Sequence, residues 1–155
     1  MMNWILMVMA TIASILIAMV VGGLMTPARV DIARCVPLAA RRDDVWRLVR
    51  AVDQIPDWCP SLPAFEMIAE QAPETLSLRL RNDSQDIVGE WRVQFEESSD
   101  EQADRTMLTV FESSVTTNPI LRFLRGFGGR TGRVDRFLQA TAEQLGEFGV
   151  VPRDR

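Results

Sequence analysis

Histidine, tyrosine and lysine are all missing from the 155 residues of this chain. Without histidine there is no Ser–His or Cys–His nucleophile pair, no imidazole-ligated metal and no imidazole acid or base working near neutral pH. Cysteine is confined to Cys35 and Cys59, which lack C-x-x-C spacing. Free thiols in a reducing compartment are therefore expected, and no disulfide is needed. No cluster has metal-ligand spacing, and the only glycine-rich stretch, from Gly126 to Gly129, lies inside a helical pattern rather than after a strand, so neither a metal nor a phosphate-bearing cofactor is expected. Positive charge is in deficit, 17 basic against 21 acidic residues for a net charge of −4. Together with the acidic group Glu96, Glu97, Asp100, Glu101 and Asp104, this argues against nucleic acid as a partner.

Charge is also missing from Met1 to Ala28, where Trp4 to Met25 is a nearly unbroken apolar run. At ~1.5 Å per helical residue it reaches across roughly 30 Å, the thickness of a bilayer's hydrocarbon core. A cleaved signal peptide is the competing reading. However, Met1, Met2 and Asn3 supply no basic n-region, the run exceeds the usual ~7 to 15 residues, and Thr26-Pro27-Ala28 is a poor cleavage site. Residues 1–28 are therefore expected to be an uncleaved transmembrane anchor. Arg29, Arg34, Arg41 and Arg42 follow it directly, which by the positive-inside rule places the remainder in the cytoplasm.

Beyond the anchor the chain is long enough for one hydrophobic core. Arg29 to Pro37 alternates as a strand. Asp43 or Asp44 is expected to cap a short helix carrying Val45, Trp46, Leu48, Val49 and Val52, stopped by Ile55-Pro56. Asp53 to Pro63 reads as an ordered proline-rich loop presenting Trp58. Four alternating runs follow, Phe65 to Glu70, Thr75 to Arg81, Ile87 to Glu97 and Thr106 to Val115, each with one apolar face and joined by turn-like segments such as Asn82-Asp83-Ser84. Such short connections imply antiparallel neighbours.

The stretch from Asn118 to Glu147 has helical periodicity, with Ile120, Phe123, Leu124, Phe127, Thr131, Val134, Leu138, Thr141 and Leu145 on one face and Arg122, Arg125, Arg133 and Arg136 on the other. Asn118 suits the N-cap and Pro119 the first turn. Gly126, Gly128, Gly129 and Gly132 should bend or break the helix near Phe127. The expected class is α+β, a curved antiparallel sheet covered by this helix.

Particular residues then match a family pattern. Val45-Trp46-x-Leu48-Val49 with Asp53-x-x-x-Asp57-Trp58-x-Pro60 resembles the early helix and loop of the START-like superfamily, also called SRPBCC or polyketide cyclase/dehydrase-like proteins. Gly89-x-Trp91, Leu108-Thr109-Val110-x-Glu112, Asn118-Pro119-x-x-Arg122-Phe123 and Phe137-Leu138 are similar to the closing strands and helix of a bacterial membrane-anchored branch of it. The resemblance covers Val30 to Glu147 and implies a helix-grip domain over residues 29–150, with a cavity for an apolar ligand between sheet and last helix. Residues 151–155 are then a short polar tail. One departure stands out: the family's strand pair between the W-x-P loop and the strand at Phe65 to Glu70 is missing, so the cavity is expected to be small, open, or closed by a partner subunit.

Trp58, Trp91, Phe95, Phe123 and Phe127 are candidates to line such a pocket, although aromatic stripes at these periods are also what an ordinary core shows. Alternation through Leu108 and Val110 turns Glu112 inward, where burial would favour an acid or base, or where it pairs with an arginine such as Arg79 or Arg92. Arg122, Arg125, Arg133 and Arg136, with Arg130 beside them, are candidates to meet anionic headgroups, and the alternative is a solvated face. Cys59 has no evident basic neighbour and reads as structural. The favoured function is a membrane-anchored domain binding a lipid-like or other apolar molecule without catalysis. The alternatives are a cyclase- or dehydratase-type enzyme using Glu112, and a protein-interaction module without a cavity.

Overall fold

The structure, a computed structural model, describes residues 2–81, 87–97, 105–127 and 131–155, without the side chains at 2, 3, 88 and 125–127. The chain divides into two compact units, one made of residues 1–30 and 115–130 and the other of 31–114 and 131–155.

In the first unit the apolar run forms helix α1 (Met2–Met25), long and apolar enough to cross a membrane. Its few hydroxyls are satisfied within the helix, Thr11 donating to the Met7 carbonyl at 2.9 Å and Ser14 to that of Ala10 at 2.8 Å, so they bring no unmet polar group to an apolar surrounding. Helix α4 (Pro119–Phe127) packs on α1. Asn118 is its cap: the Oδ1 atom accepts the backbone N–H of Ile120 at 2.9 Å and of Leu121 at 3.4 Å.

The second unit holds a six-stranded sheet in the order β2-β3-β4-β5-β1-β6. Its strands are β1 (Arg29–Leu38), β2 (Ala64–Gln71), β3 (Thr75–Arg81), β4 (Ile87–Glu97), β5 (Thr106–Val115) and β6 (Arg153–Asp154). Strands β2, β3, β4 and β5 form an antiparallel meander with Leu78 opposite Trp91 and Trp91 opposite Glu112. Alternation holds to the residue: Leu76, Leu78 and Leu80, then Trp91, Val93 and Phe95, then Leu108 and Val110, are all buried on one face. Helix α5 (Gly132–Gln144) closes that face with Val134, Phe137 and Leu138, each fully buried. At about 1.5–3 kcal/mol per buried large apolar side chain, this seam is what holds helix to sheet.

Several expectations need correction. The Asn118 to Glu147 helix is in two pieces, as its glycines suggested, and the pieces belong to different units: α5 to that of the sheet, α4 to that of α1. Helix α5 also stops at Gln144, because Gly146 takes a left-handed φ of 82° and ends it. Helix α2 (Arg42–Arg50) starts without a side-chain cap, so neither Asp43 nor Asp44 caps it. The proline-rich loop is partly helical: a single turn at Val52–Gln54 leads into α3 (Ile55–Trp58), where Pro56 sits in the first turn instead of ending a helix. No strand lies between α3 and β2, so β2 is an edge strand and the family's extra pair is absent.

The short polar tail adds a strand, β6, beside β1. Arg34 and Asp154, and Cys35 and Arg153, pair across β1 and β6. The Arg34 guanidinium donates to Asp154 at 2.6 Å, to Asp135 on α5 at 2.8 Å and to the Pro152 carbonyl at 2.9 Å, and the two carboxylates, Asp154 first, hold its pKa above the ordinary arginine value. Arg155 continues over the outer face of β5, its guanidinium 5.8 Å from the Phe111 ring centre and bound to both carboxylate oxygens of Glu96. The turn at Asn82-Asp83-Ser84 and the acidic residues Asp100, Glu101 and Asp104 lie outside the described residues.

Candidate functional site

The strands place their inward residues in rows, and one row runs Met67, Leu78, Trp91, Glu112 from β2 to β5. Around Trp91 four rings from four elements meet. Its centre is 5.2 Å from Phe65 of β2 and 5.3 Å from Phe137 of α5, while Phe137 is also 5.9 Å from Trp58 at the end of α3. These tilted and edge-on contacts are the geometries aromatic quadrupoles favour.

The cluster contains a polar exception. The indole Nε1 atoms of both Trp58 and Trp91 are buried and have no acceptor among the described residues. A buried Trp N–H ordinarily finds a partner, and leaving one unmet costs about 1–3 kcal/mol. Two such donors in one apolar cluster are an arrangement suited to a molecule that is mostly apolar and carries an oxygen acceptor.

Glu112, next in the row, is 2 % exposed, and the inward orientation expected from alternation holds. Its partner is Arg133 of α5, whose Nη2 donates to Oε1 at 2.5 Å. Arg79, an expected partner, pairs with Glu90 instead. This corrects the reading of Arg133 as a membrane-facing residue. The carboxylate is inside and the arginine at the rim, with side-chain exposures of 1 % and 34 %. Arg133 stands one turn before Phe137, so it shares the flank of the stripe that faces the sheet. The pair fixes the rotation of α5 and occupies one carboxylate oxygen.

The other predicted positions separate. Phe95 lies at the far end of the inner face, 5.1 Å from Trp46 of α2, and is core. Phe123 belongs to the first unit, where its ring lies against Gly22 of α1. Arg122 is half-buried and turns back to donate to the Thr117 carbonyl at 2.8 Å, while Arg136 is exposed. The side chains of Arg125 and Phe127, and Arg130 altogether, lie outside the described residues. Phe65 and Phe137 were missed as cluster members. The signal for Phe137 was available, since it lies three residues after Val134 on the same helical stripe.

Cys59 follows Trp58 and is 5 % exposed, with Sγ 3.9 Å from the Ser61 hydroxyl. Burial pushes its thiol pKa up, outweighing the opposing effects of Ser61 and Arg136. A raised pKa means less thiolate at any pH below it. Cys59 is therefore expected to resist iodoacetamide at neutral pH in the folded chain, to react faster as pH rises, and to react freely once unfolded. Peptide mass spectrometry of timed alkylation checks this, and rapid native labelling at neutral pH would contradict it.

No family model and no curated protein matches the chain. Solved structures do. A conserved protein from Geobacillus kaustophilus overlays with a TM-score of 0.58 at 12% identity, covering 80% of this chain and 99% of that one. Protein Ms6760 from Mycobacterium smegmatis gives 0.54 at 13% identity, covering 75% and 90%. With the meander, the closing strand β1 and α5 seated on the inner face, this decides the architecture. The chain has an α+β fold of the helix-grip kind, an antiparallel sheet with its last long helix on the inner face. A START superfamily protein from Mycobacterium smegmatis overlays more loosely, with a TM-score of 0.44 at 18% identity over 74% and 98% of the two chains. At these identities the likeness speaks for the fold alone. The ring cluster and the Glu112–Arg133 pair both lie between α5 and the sheet.

Proposed function

We propose that this START-like domain is held at a membrane by Trp4–Met25, with its carboxyl side in the cytoplasm, and binds an apolar small molecule beside Trp58, Trp91 and Phe137 without transforming it. The observation that carries the binding reading is the pair of buried indole N–H donors without acceptors among the described residues. They favour a ligand of hydrocarbon or aromatic character bearing a carbonyl, ester or hydroxyl oxygen, as a lipid does. The anchor reading rests on the length and hydropathy of α1 and on the arginines after it. Catalysis is the weaker reading because Glu112, the one buried carboxylate of the row, is bound to Arg133.

The test uses the full chain in detergent micelles, exposed to a membrane lipid extract and analysed by mass spectrometry for retained molecules. Trp91→Phe keeps the ring and removes the donor, so retention is expected to weaken about five- to tenfold, the worth of one hydrogen bond. Glu112→Gln should leave retention and the chemical identity of the molecule unchanged. Conversion of the retained molecule by the parent chain but not by Glu112→Gln would establish the enzyme reading. Failure of the folded parent to retain anything would leave the protein-interaction reading.

A further inference from the structure

Helix α4 is tied to α1 by two positions without side chains. A Cβ built on Gly22 would lie 2.6 and 2.8 Å from ring atoms of Phe123, and one on Gly23 would run into the Pro119 carbonyl group. Any other residue at either position would strike the start of α4, so Gly22 and Gly23 form a socket for it. Small residues serve helix contacts of this kind where backbones must come close in an apolar medium. The junction is tightened locally: Thr26 donates its hydroxyl to the Gly22 carbonyl at 3.0 Å, and the Thr116 N–H donates to the Ala28 carbonyl at 2.9 Å.

The socket sets the depth of α4. Gly22 and Gly23 lie in the last turn of the Trp4–Met25 span, so a helix seated there sits where hydrocarbon gives way to headgroups. Away from the socket, α4 presents Leu121 and Leu124, 55% and 49% exposed, one turn apart on the same side. Asn118 caps the start of the helix and the Arg122 guanidinium turns back onto the Thr117 carbonyl. An apolar strip backed by a polar start, at the end of an apolar span, is the arrangement of a helix that lies in the interface with its apolar side about 5–10 Å into the bilayer.

We propose that α4 is an interfacial helix: docked through Pro119 and Phe123 on Gly22 and Gly23, it lays Leu121 and Leu124 into the edge of the same lipid bilayer that α1 crosses. This rests on the anchor part of the proposed function and not on ligand binding. The chain is then held at the membrane by two segments, and the lipid contact comes from leucines of α4 rather than from the arginine face expected from the sequence.

The experiment places p-benzoylphenylalanine, one site at a time, at Ile12 in α1, at Leu121 and Leu124 in α4 and at the exposed Arg136 of α5. Each full chain is reconstituted in vesicles of phosphatidylcholine and phosphatidylglycerol, irradiated and analysed for lipid adducts by mass spectrometry. Adducts are expected at Ile12, Leu121 and Leu124 and not at Arg136. Adducts at Ile12 without any at Leu121 and Leu124 overturn the interfacial helix and leave the anchor standing, and none at Ile12 overturns the anchor and this inference with it. An equal yield at Arg136 overturns the claim that α4 is specifically seated. Gly22→Leu in the same probe chains should lower the adduct yield at Leu121 and Leu124 severalfold without changing that at Ile12, and unchanged yields would overturn the socket.

Discussion

Replacing Phe137 with alanine is expected to cost about 3–5 kcal/mol, the range for removing a fully buried aromatic ring from a packed core. Phe137 is the ring that Trp58, Trp91 and Phe65 share, at centre distances of 5.9, 5.3 and 6.2 Å, so its loss opens the contact between α5 and the sheet at one place rather than spreading the damage. The adjacent Arg136→Ala removes an exposed side chain and should fall within about 0.5 kcal/mol of the parent. Urea unfolding of the full chain in micelles, followed by tryptophan fluorescence, measures both. Equal effects at the two positions would mean that α5 does not present Phe137 to the sheet.

Arg133→Met should be the next most damaging change, at about 1–3 kcal/mol, because it withdraws the arginine from a carboxylate that stays buried. The cost sits below that of a fully buried pair because the Arg133 side chain is 34% exposed and Glu112 keeps other contacts. The informative measurement is the double-mutant cycle. Glu112→Gln in the Arg133→Met background removes the buried charge, so the double variant should be more stable than the sum of the single changes predicts, by about 0.5–3 kcal/mol. Since the carboxylate is shielded from solvent, the coupling should change little with salt. Strict additivity in urea midpoints would show that the two side chains do not act as a pair.

These two predictions lie on opposite sides of what could be read from the sequence. The phase of α5 followed from periodicity: Val134 and Leu138 are buried and Arg136 is exposed, as a helix of ~3.6 residues per turn requires. Arg133 was misassigned by the same rule, because a residue at the margin of an apolar stripe faces solvent or a neighbour depending on what the neighbour offers. Here β5 offers Glu112. The long side chain of arginine lets the guanidinium reach inward while its helix position stays at the rim.

Phe123 shows the same limit in another form. Its spacing fitted the apolar face of one long helix, and the glycines made a bend or break near Phe127 foreseeable but not a partner in α1. The two halves go to different units because Gly22 and Gly23 leave room for Phe123 and Pro119, a complementarity between residues about a hundred positions apart in the chain.

What the sequence by itself determined is the local order: an apolar span at Trp4–Met25, strands at Thr75–Arg81, Ile87–Glu97 and Thr106–Val115, an inward Glu112 and a capped helix start at Asn118. Each follows from the backbone period, from side-chain shape or from a turn, which act over a few residues. Only the tertiary structure decided that Phe65, Trp58, Trp91 and Phe137 form one cluster, that Arg133 answers Glu112, that α4 packs on α1, and that residues 153–154 add a strand to β1. Those outcomes depend on which surfaces meet when a twisted sheet closes on a helix, and that matching joins distant residues through shape and charge that no local period records.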